Sequence, residues 1–137
     1  MYTSIKNKER LIDSSKEKGR GEMGKQLSIH FNEDEFCCRC CGRLPKEGIN
    51  PELINKLEEL RVILGKPISI LSGYRCPTHN RAVGGAKHSQ HLIGNASDIK
   101  VDGIRVETLA KEAERVNFNG IGCYVRQKFV HLDVRSG

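Results

Sequence analysis

Residues 129–135, Phe-Val-His-Leu-Asp-Val-Arg, alternate without a break between two kinds of side chain. Successive side chains of a strand point to opposite faces. Val130, Leu132 and Val134 therefore share one face, and Phe129, His131, Asp133 and Arg135 share the other. The apolar trio requires a core beneath it. The opposite face then carries a histidine and a carboxylate side by side, either solvated or lining a cleft. The segment needs a sheet partner, and Ile121–Val125 supplies one across the short turn Arg126-Gln127-Lys128.

The rest of the chain supplies what covers such a sheet. Asn50 is a good N-cap, Pro51 suits the first helical position and Gly65 suits the stop. Between them Leu53, Leu57, Leu60 and Leu64 fall on one helical stripe. Val106, Leu109, Ala110, Ala113 and Val116 mark a second amphipathic helix, which Asn119-Gly120 is expected to end. Ile68–Leu71 reads as a strand, and His79–Val83 as a short helical turn closed by Gly84-Gly85. In residues 96–101, Ala96, Asp98 and Lys100 face one way; Ser97, Ile99 and Val101 face the core. The fold class is α+β, a small and mainly antiparallel sheet with helices packed against it. The 137 residues suffice for one domain.

That pattern brings forward a ligand set. A catalytic zinc takes about three protein ligands and keeps one position for water. His91, Asp98 and His131 can supply such a set, although a histidine and an aspartate seven residues apart are common by chance.

The run SGYRCPTHNRAVGGAKHSQHLIGNASDIKV, followed by GIGCYVRQKFVHLDVR, closely resembles the M15 peptidases, the zinc D-Ala-D-Ala carboxypeptidases and their relatives. The shared pattern is S-x-H-x-x-G-x-A-x-D (Ser89, His91, Gly94, Ala96, Asp98), then G-I-G-x-Y (Gly120, Ile121, Gly122, Tyr124) and F-V-H-x-D-V (Phe129 to Val134). The upstream Ser72–Arg75 also matches, and the resemblance runs from about His30 to Arg135. It implies a hedgehog/D-Ala-D-Ala peptidase-like fold with a zinc site in a cleft, and His91, Asp98 and His131 as the ligands of one catalytic Zn2+. It also implies that Arg75 holds substrate near the metal, where a planar guanidinium suits a carboxylate or carbonyl. Many relatives carry Glu three residues before the last histidine ligand; here that position is Lys128. The general base then falls to Asp133 or to His88, with Asp133 equally readable as the group that holds His131 by its other ring nitrogen.

The implied activity is hydrolysis of peptidoglycan stem peptides, by a D-Ala-D-Ala carboxypeptidase or related endopeptidase acting in cell-wall turnover or lysis. The alternative is a cell-wall binding module that keeps the metal without turnover. A Cys-rich nucleic-acid binder is a further rival, but it leaves the His/Asp pattern unexplained.

The remaining features bound this reading. The net charge of +6 suits an anionic wall, nucleic acid or acidic lipid, and equally suits solubility alone. Three Tyr, four Phe and no Trp make a thin stacking surface for single strands, so no nucleic-acid partner is expected. No apolar run is long enough for membrane insertion, and a monomer is expected. Residues 1–26, with seven Lys/Arg and four Asp/Glu, read as a polar tail or short helix ahead of a domain over 27–137. They contain no apolar signal region, so synthesis in a cytoplasm is expected, with export to the bacterial wall by another route, as for phage or prophage lysis proteins. Phe36-Cys37-Cys38-Arg39-Cys40-Cys41-Gly42 holds two overlapping C-x-x-C pairs. Relatives of this short type often carry F-x-C-x-x-C, which selects Cys38 and Cys41 for a second, structural metal or a disulfide, with Cys76 near them; buried or free thiols are the other reading. Cys123 is expected in the core, His30 on the surface and His79 in the cleft beside Arg75.

Overall fold

The computed structural model describes residues 24–135. Helix α1 covers Pro51–Leu64; the Asn50 side chain accepts the Glu52 N–H at its start, and Gly65 ends it in a left-handed conformation. Strand β1 is Ser69–Ser72 and helix α2 is Pro77–Ala82. A 3-10 turn, Gln90–Ile93, leads into strand β2, Ala96–Lys100. Helix α3 is Val106–Val116, and the hairpin strands β3 and β4 are Gly120–Tyr124 and Phe129–Asp133. The four strands form one antiparallel sheet in the order β1-β2-β4-β3.

The core lies between one face of this sheet and helices α1 and α3. Leu53, Leu57 and Leu60 are fully buried there with Leu109, Ala113, Ile99, Val130 and Leu132, and Leu64 packs at the edge. Each fully buried leucine contributes about 1.5–3 kcal/mol through removal from water. The strand pattern inward of β4 is the one its alternation requires.

Several boundaries differ from the sequence reading. The first strand starts one residue later and reaches Ser72, where a register shift between Ile70 and Ser72 brings Ser72 opposite Asp98. The short helix begins at Pro77 rather than His79, because Cys76 acts as its N-cap and Pro77 takes the first helical position. Helix α3 stops at Asn117, not at Asn119-Gly120; Asn117 adopts φ 70° and Gly120 already pairs in β3. The hairpin turn takes in Val125, since the Lys128 N–H bonds to the Tyr124 carbonyl, 2.7 Å. Cys123 is exposed rather than core: β3 is the outer strand, and its end runs past the helices with Val125. His30 is half-buried, its ring and backbone nitrogen both on Glu58.

The stretch read as a polar tail lies, up to residue 23, outside the described residues. Its last residues are tied to the domain: Gln26 bridges Asn32, and the Lys25 carbonyl accepts the Glu33 N–H.

Candidate metal centre

Strand pairing builds the site. Asp98 on β2 stands directly opposite His131 on β4. Both project from the sheet face away from the helices, because their neighbours Ile99, Val130 and Leu132 are committed to the core. Residues 73–93 fold over that face and bury His91 and Asp98. The 3-10 turn that carries His91 starts at Ser89, whose hydroxyl accepts the His91 N–H, and ends at Gly94 with φ 75°. Ser89 and Gly94 are thus the local reason for the spacing around His91.

The hydrogen bonds assign the ring nitrogens. His91 Nδ1 donates to the Gly73 carbonyl, 2.7 Å, which leaves Nε2 toward Asp98 Oδ1 at 3.2 Å. His131 Nε2 meets Asp133 Oδ2 at 2.9 Å and Nδ1 meets the same Asp98 oxygen at 3.0 Å, so a neutral ring that donates to Asp133 leaves Nδ1 toward Asp98. With the other nitrogens committed to acceptors, two neutral imidazoles present lone pairs to one carboxylate oxygen. That arrangement repels itself unless protons or a cation lie between the three atoms. Zinc–nitrogen and zinc–oxygen bonds of about 2.0–2.1 Å imply ligand–ligand separations of roughly 3.3 Å in a tetrahedron. Separations of 3.0 and 3.2 Å, with all three atoms inside 4.8 Å of one another, fit that demand. The imidazole rings meet edge to face, 5.1 Å between centroids.

Charge around the trio is arranged to keep Asp98 ionised. Burial pushes its pKa up, but with protons rather than a cation between the three atoms, the hydrogen bonds and positive charge of His131 and His91 outweigh this and hold it well below the usual carboxylate range. For His131, burial works against the charged form, while Asp98 and Asp133 more than offset it and raise the pKa.

Arg75 has three protein partners. Its Nη2 donates to Asp98 Oδ2 and its Nη1 to Asn80 Oδ1, both 3.1 Å, and its Nε donates to Ser72 Oγ at 3.3 Å. The resemblance implies a substrate role for Arg75, with a structural ion pair as the other reading; the structure shows such a pair, with Asp98. Asp133 is fully buried. Its oxygens are taken by His131 and by the Arg135 guanidinium, whose Nε donates at 2.8 Å. Burial raises the Asp133 pKa, and the bonds from Arg135 and His131 bring it down to about 2. A Cβ on Gly120 would stand 2.3 Å from the Asp133 carboxylate, so the first glycine of G-I-G-x-Y leaves room for it.

An open cleft of about 570 Å³ lies over the trio. Arg75, His88, His91, Asp98, His131 and Arg135 line it, and Tyr124 and Phe129, stacked at 4.6 Å, form part of its wall. His88 is exposed there; Asp133, Lys128 and His79 do not line it. Residue 128 has turned to the far side of the hairpin, beside Arg105 and Val106.

The profile of the family described as Peptidase M15 matches residues 29–133, nearly all of the described domain. The chain belongs to the Peptidase M15 family. Within that family it is similar to the peptidoglycan L,D-endopeptidase MepK of Escherichia coli K12, 38% identical over 124 residues, which cover 84% of this chain and 65% of the relative. It is also similar to the probable peptidoglycan L,D-endopeptidase MepK of Haemophilus influenzae, 29% identical over 62% of this chain and 50% of the relative. A zinc D-Ala-D-Ala carboxypeptidase of Streptomyces albus G is 37% identical over 48% of this chain and 26% of the relative. The chain thus spans just under two thirds of the length of the Escherichia coli relative.

The sequence reading missed Gly73, Asn80, Ser72 and Arg135, which hold the trio and its partners in place. Ser72 and Gly73 had a signal as part of the Ser72–Arg75 match, Asn80 as part of the longer matching run, and Arg135 by sharing the strand face of His131 and Asp133. Among the described residues, no helix is long and apolar enough to cross a membrane.

Proposed function

We propose that this chain is a zinc peptidase that cleaves peptidoglycan stem peptides as an endopeptidase. The observation that carries the reading is the convergence of His91 Nε2, His131 Nδ1 and Asp98 Oδ1 under an open cleft, with each imidazole's other nitrogen held by an acceptor. Bound there, zinc would polarise a peptide carbonyl and bring a water toward neutral pKa. The endopeptidase reading rather than the carboxypeptidase one follows the relative that covers more of this chain.

The chain's own residues divide the remaining work. Gly73 and Asp133 fix the tautomer and orientation of the two histidines, and Asp133 does so as a positioning residue rather than as the base. Arg75 lines the cleft and keeps two donor hydrogens beyond its three protein bonds for a substrate carbonyl or carboxylate. A ring nitrogen of His88, on the exposed wall, accepts a proton during attack and returns it to the leaving amine. Neither Asp133 nor Lys128 has that access. The expected site of action is the bacterial cell wall, with lysis by a phage or prophage product as the narrower form of the same reading.

Digestion of defined stem peptides and their cross-linked dimers, read by mass spectrometry, tests the proposal. An internal cut that requires zinc supports it. Release of terminal D-Ala alone would move the chain to the carboxypeptidases. Zinc binding with no cut in any peptide would leave a cell-wall binding module.

A further inference from the structure

A second group of ligating side chains lies outside the cleft. The Sγ atoms of Cys38, Cys41 and Cys76 all lie within 4.8 Å of one another. Cys38 and Cys41 belong to a tight turn closed by two backbone bonds, Gly42 N–H to the Cys38 carbonyl and Cys38 N–H to the Arg43 carbonyl, both 2.8 Å. Cys76 comes from the loop after β1, and its backbone N–H points at Cys38 Sγ, 3.4 Å. We propose that Cys38, Cys41 and Cys76 form a second metal centre, a thiolate site for a soft divalent cation of the zinc class.

Packing does not account for the cluster. Three thiols make weak hydrogen bonds to one another, and only Cys38 is buried; Cys76 is half-buried and Cys41 exposed. A C-x-x-C turn joined by a third cysteine from a distant loop is the ligand arrangement of structural zinc sites. Zinc–sulfur bonds of about 2.3 Å require sulfurs roughly 3.8 Å apart, inside the observed spread. Each thiol that binds the cation gives up its proton to solvent, and no electron is transferred.

The position gives the site a task. Cys76 follows Arg75, and the same loop offers the Gly73 carbonyl to His91. The turn and the loop already touch, through the Tyr74 N–H on the Phe36 carbonyl, 2.8 Å, and Arg39 Nη2 on the Ile70 carbonyl, 2.9 Å. A cation on the three sulfurs fastens the turn to the segment that orients His91 and Asp98. It does so without entering the cleft.

The test separates the two centres. The full chain carrying His91→Ala, or His131→Ala should the first fold poorly, is purified under thiol-protecting conditions and loaded with Co2+. One cobalt per chain with strong near-ultraviolet thiolate-to-cobalt absorption is expected, and a loss of at least tenfold in that absorption when Cys41→Ser or Cys76→Ser is added. Cys41 is exposed, so its serine variant tests the site without a packing defect. Absence of the absorption in the histidine variants overturns the proposal. So does its persistence in both serine variants, or recovery of any two of the three cysteines as a disulfide after trapping at lysis. Peptide cleavage by the parent is scored apart, so failure here and failure of the peptidase reading are distinguishable.

Discussion

The two ligand clusters are built in opposite ways. His91, Asp98 and His131 come from three separate segments, and two of them sit on paired strands whose register is fixed by the core. Every free nitrogen and oxygen around them is engaged by Gly73, Asp133 or Arg75. Cys38 and Cys41 come from one local turn, and only Cys76 reaches in from elsewhere. The first cluster is oriented by tertiary contacts before any ligand binds and stands under an open cleft. The second is held by a turn and has no comparable wall. Catalysis needs side chains kept in place with a position open to substrate, whereas a structural site needs only closure. The clusters share the segment 72–76, so substitutions there affect both.

The largest expected effect is at His88, which should matter to the first cluster's chemistry and to neither cluster's metal. His88→Gln should lower kcat about 10²–10⁴-fold, the contribution of a positioned proton acceptor, with zinc content unchanged. Stopped turnover assays beside elemental analysis read both quantities. Unaltered kcat would return the search for the base to other cleft groups.

Arg75→Ala strikes the shared segment. In the zinc-free protein it leaves the buried Asp98 carboxylate and Asn80 without their partner, and breaking such a pair costs about 3–5 kcal/mol. Chemical denaturation of parent and variant should show most of that loss, and zinc should narrow it by neutralising Asp98. A variant as stable as the parent without metal would mean that the guanidinium serves substrate alone.

Asp133→Asn sharpens the claim that the first cluster is oriented in advance. The amide still accepts from His131 but lacks the charge. Zinc affinity should fall about 10–100-fold, and excess zinc should restore turnover. Competition with a chromophoric chelator gives the affinity. If kcat collapses while affinity holds, Asp133 is the base after all.

The smallest effect concerns the second cluster's base, where Glu35 precedes the cysteine turn. Burial pushes its pKa up from 4.5 to about 7, against the Asn32 N–H that it accepts. The folded state therefore binds this proton more tightly than the unfolded state. Stability from it is fully present below about pH 4.5 and is lost as pH rises through about 7. Glu35→Gln keeps the capping contact and should remove that decline, so the variant gains on the parent at pH 8 relative to pH 5. Parallel urea midpoints at the two pH values decide it; equal slopes would show that Glu35 titrates normally.

Much of this was legible in the chain. The leucine stripe between Asn50 and Gly65 and the alternation over 129–135 encode local periodicity, and local periodicity depends on nothing distant. The motifs around His91, Asp98 and His131 carried the family and the fold class. What sequence could not decide depends on contacts between segments far apart in the chain. Cys123 reads as core by alternation, yet it is exposed because β3 is the outer strand, and strand order is a tertiary outcome. Asp133 as base or as holder of His131 turns on burial and on Arg135, two residues away in the chain but folded back onto the carboxylate. Arg75 could be read from sequence as a substrate group or as an ion-pair partner, and only the fold supplies Asn80 and Asp98 as its partners. The candidate donors His91, Asp98 and His131 could be named from the sequence, because residue type sets donor chemistry. The role of each supporting residue was decided by the fold, because hydrogen bonds and burial exist only once the strands have paired and residues 73–93 have closed over them.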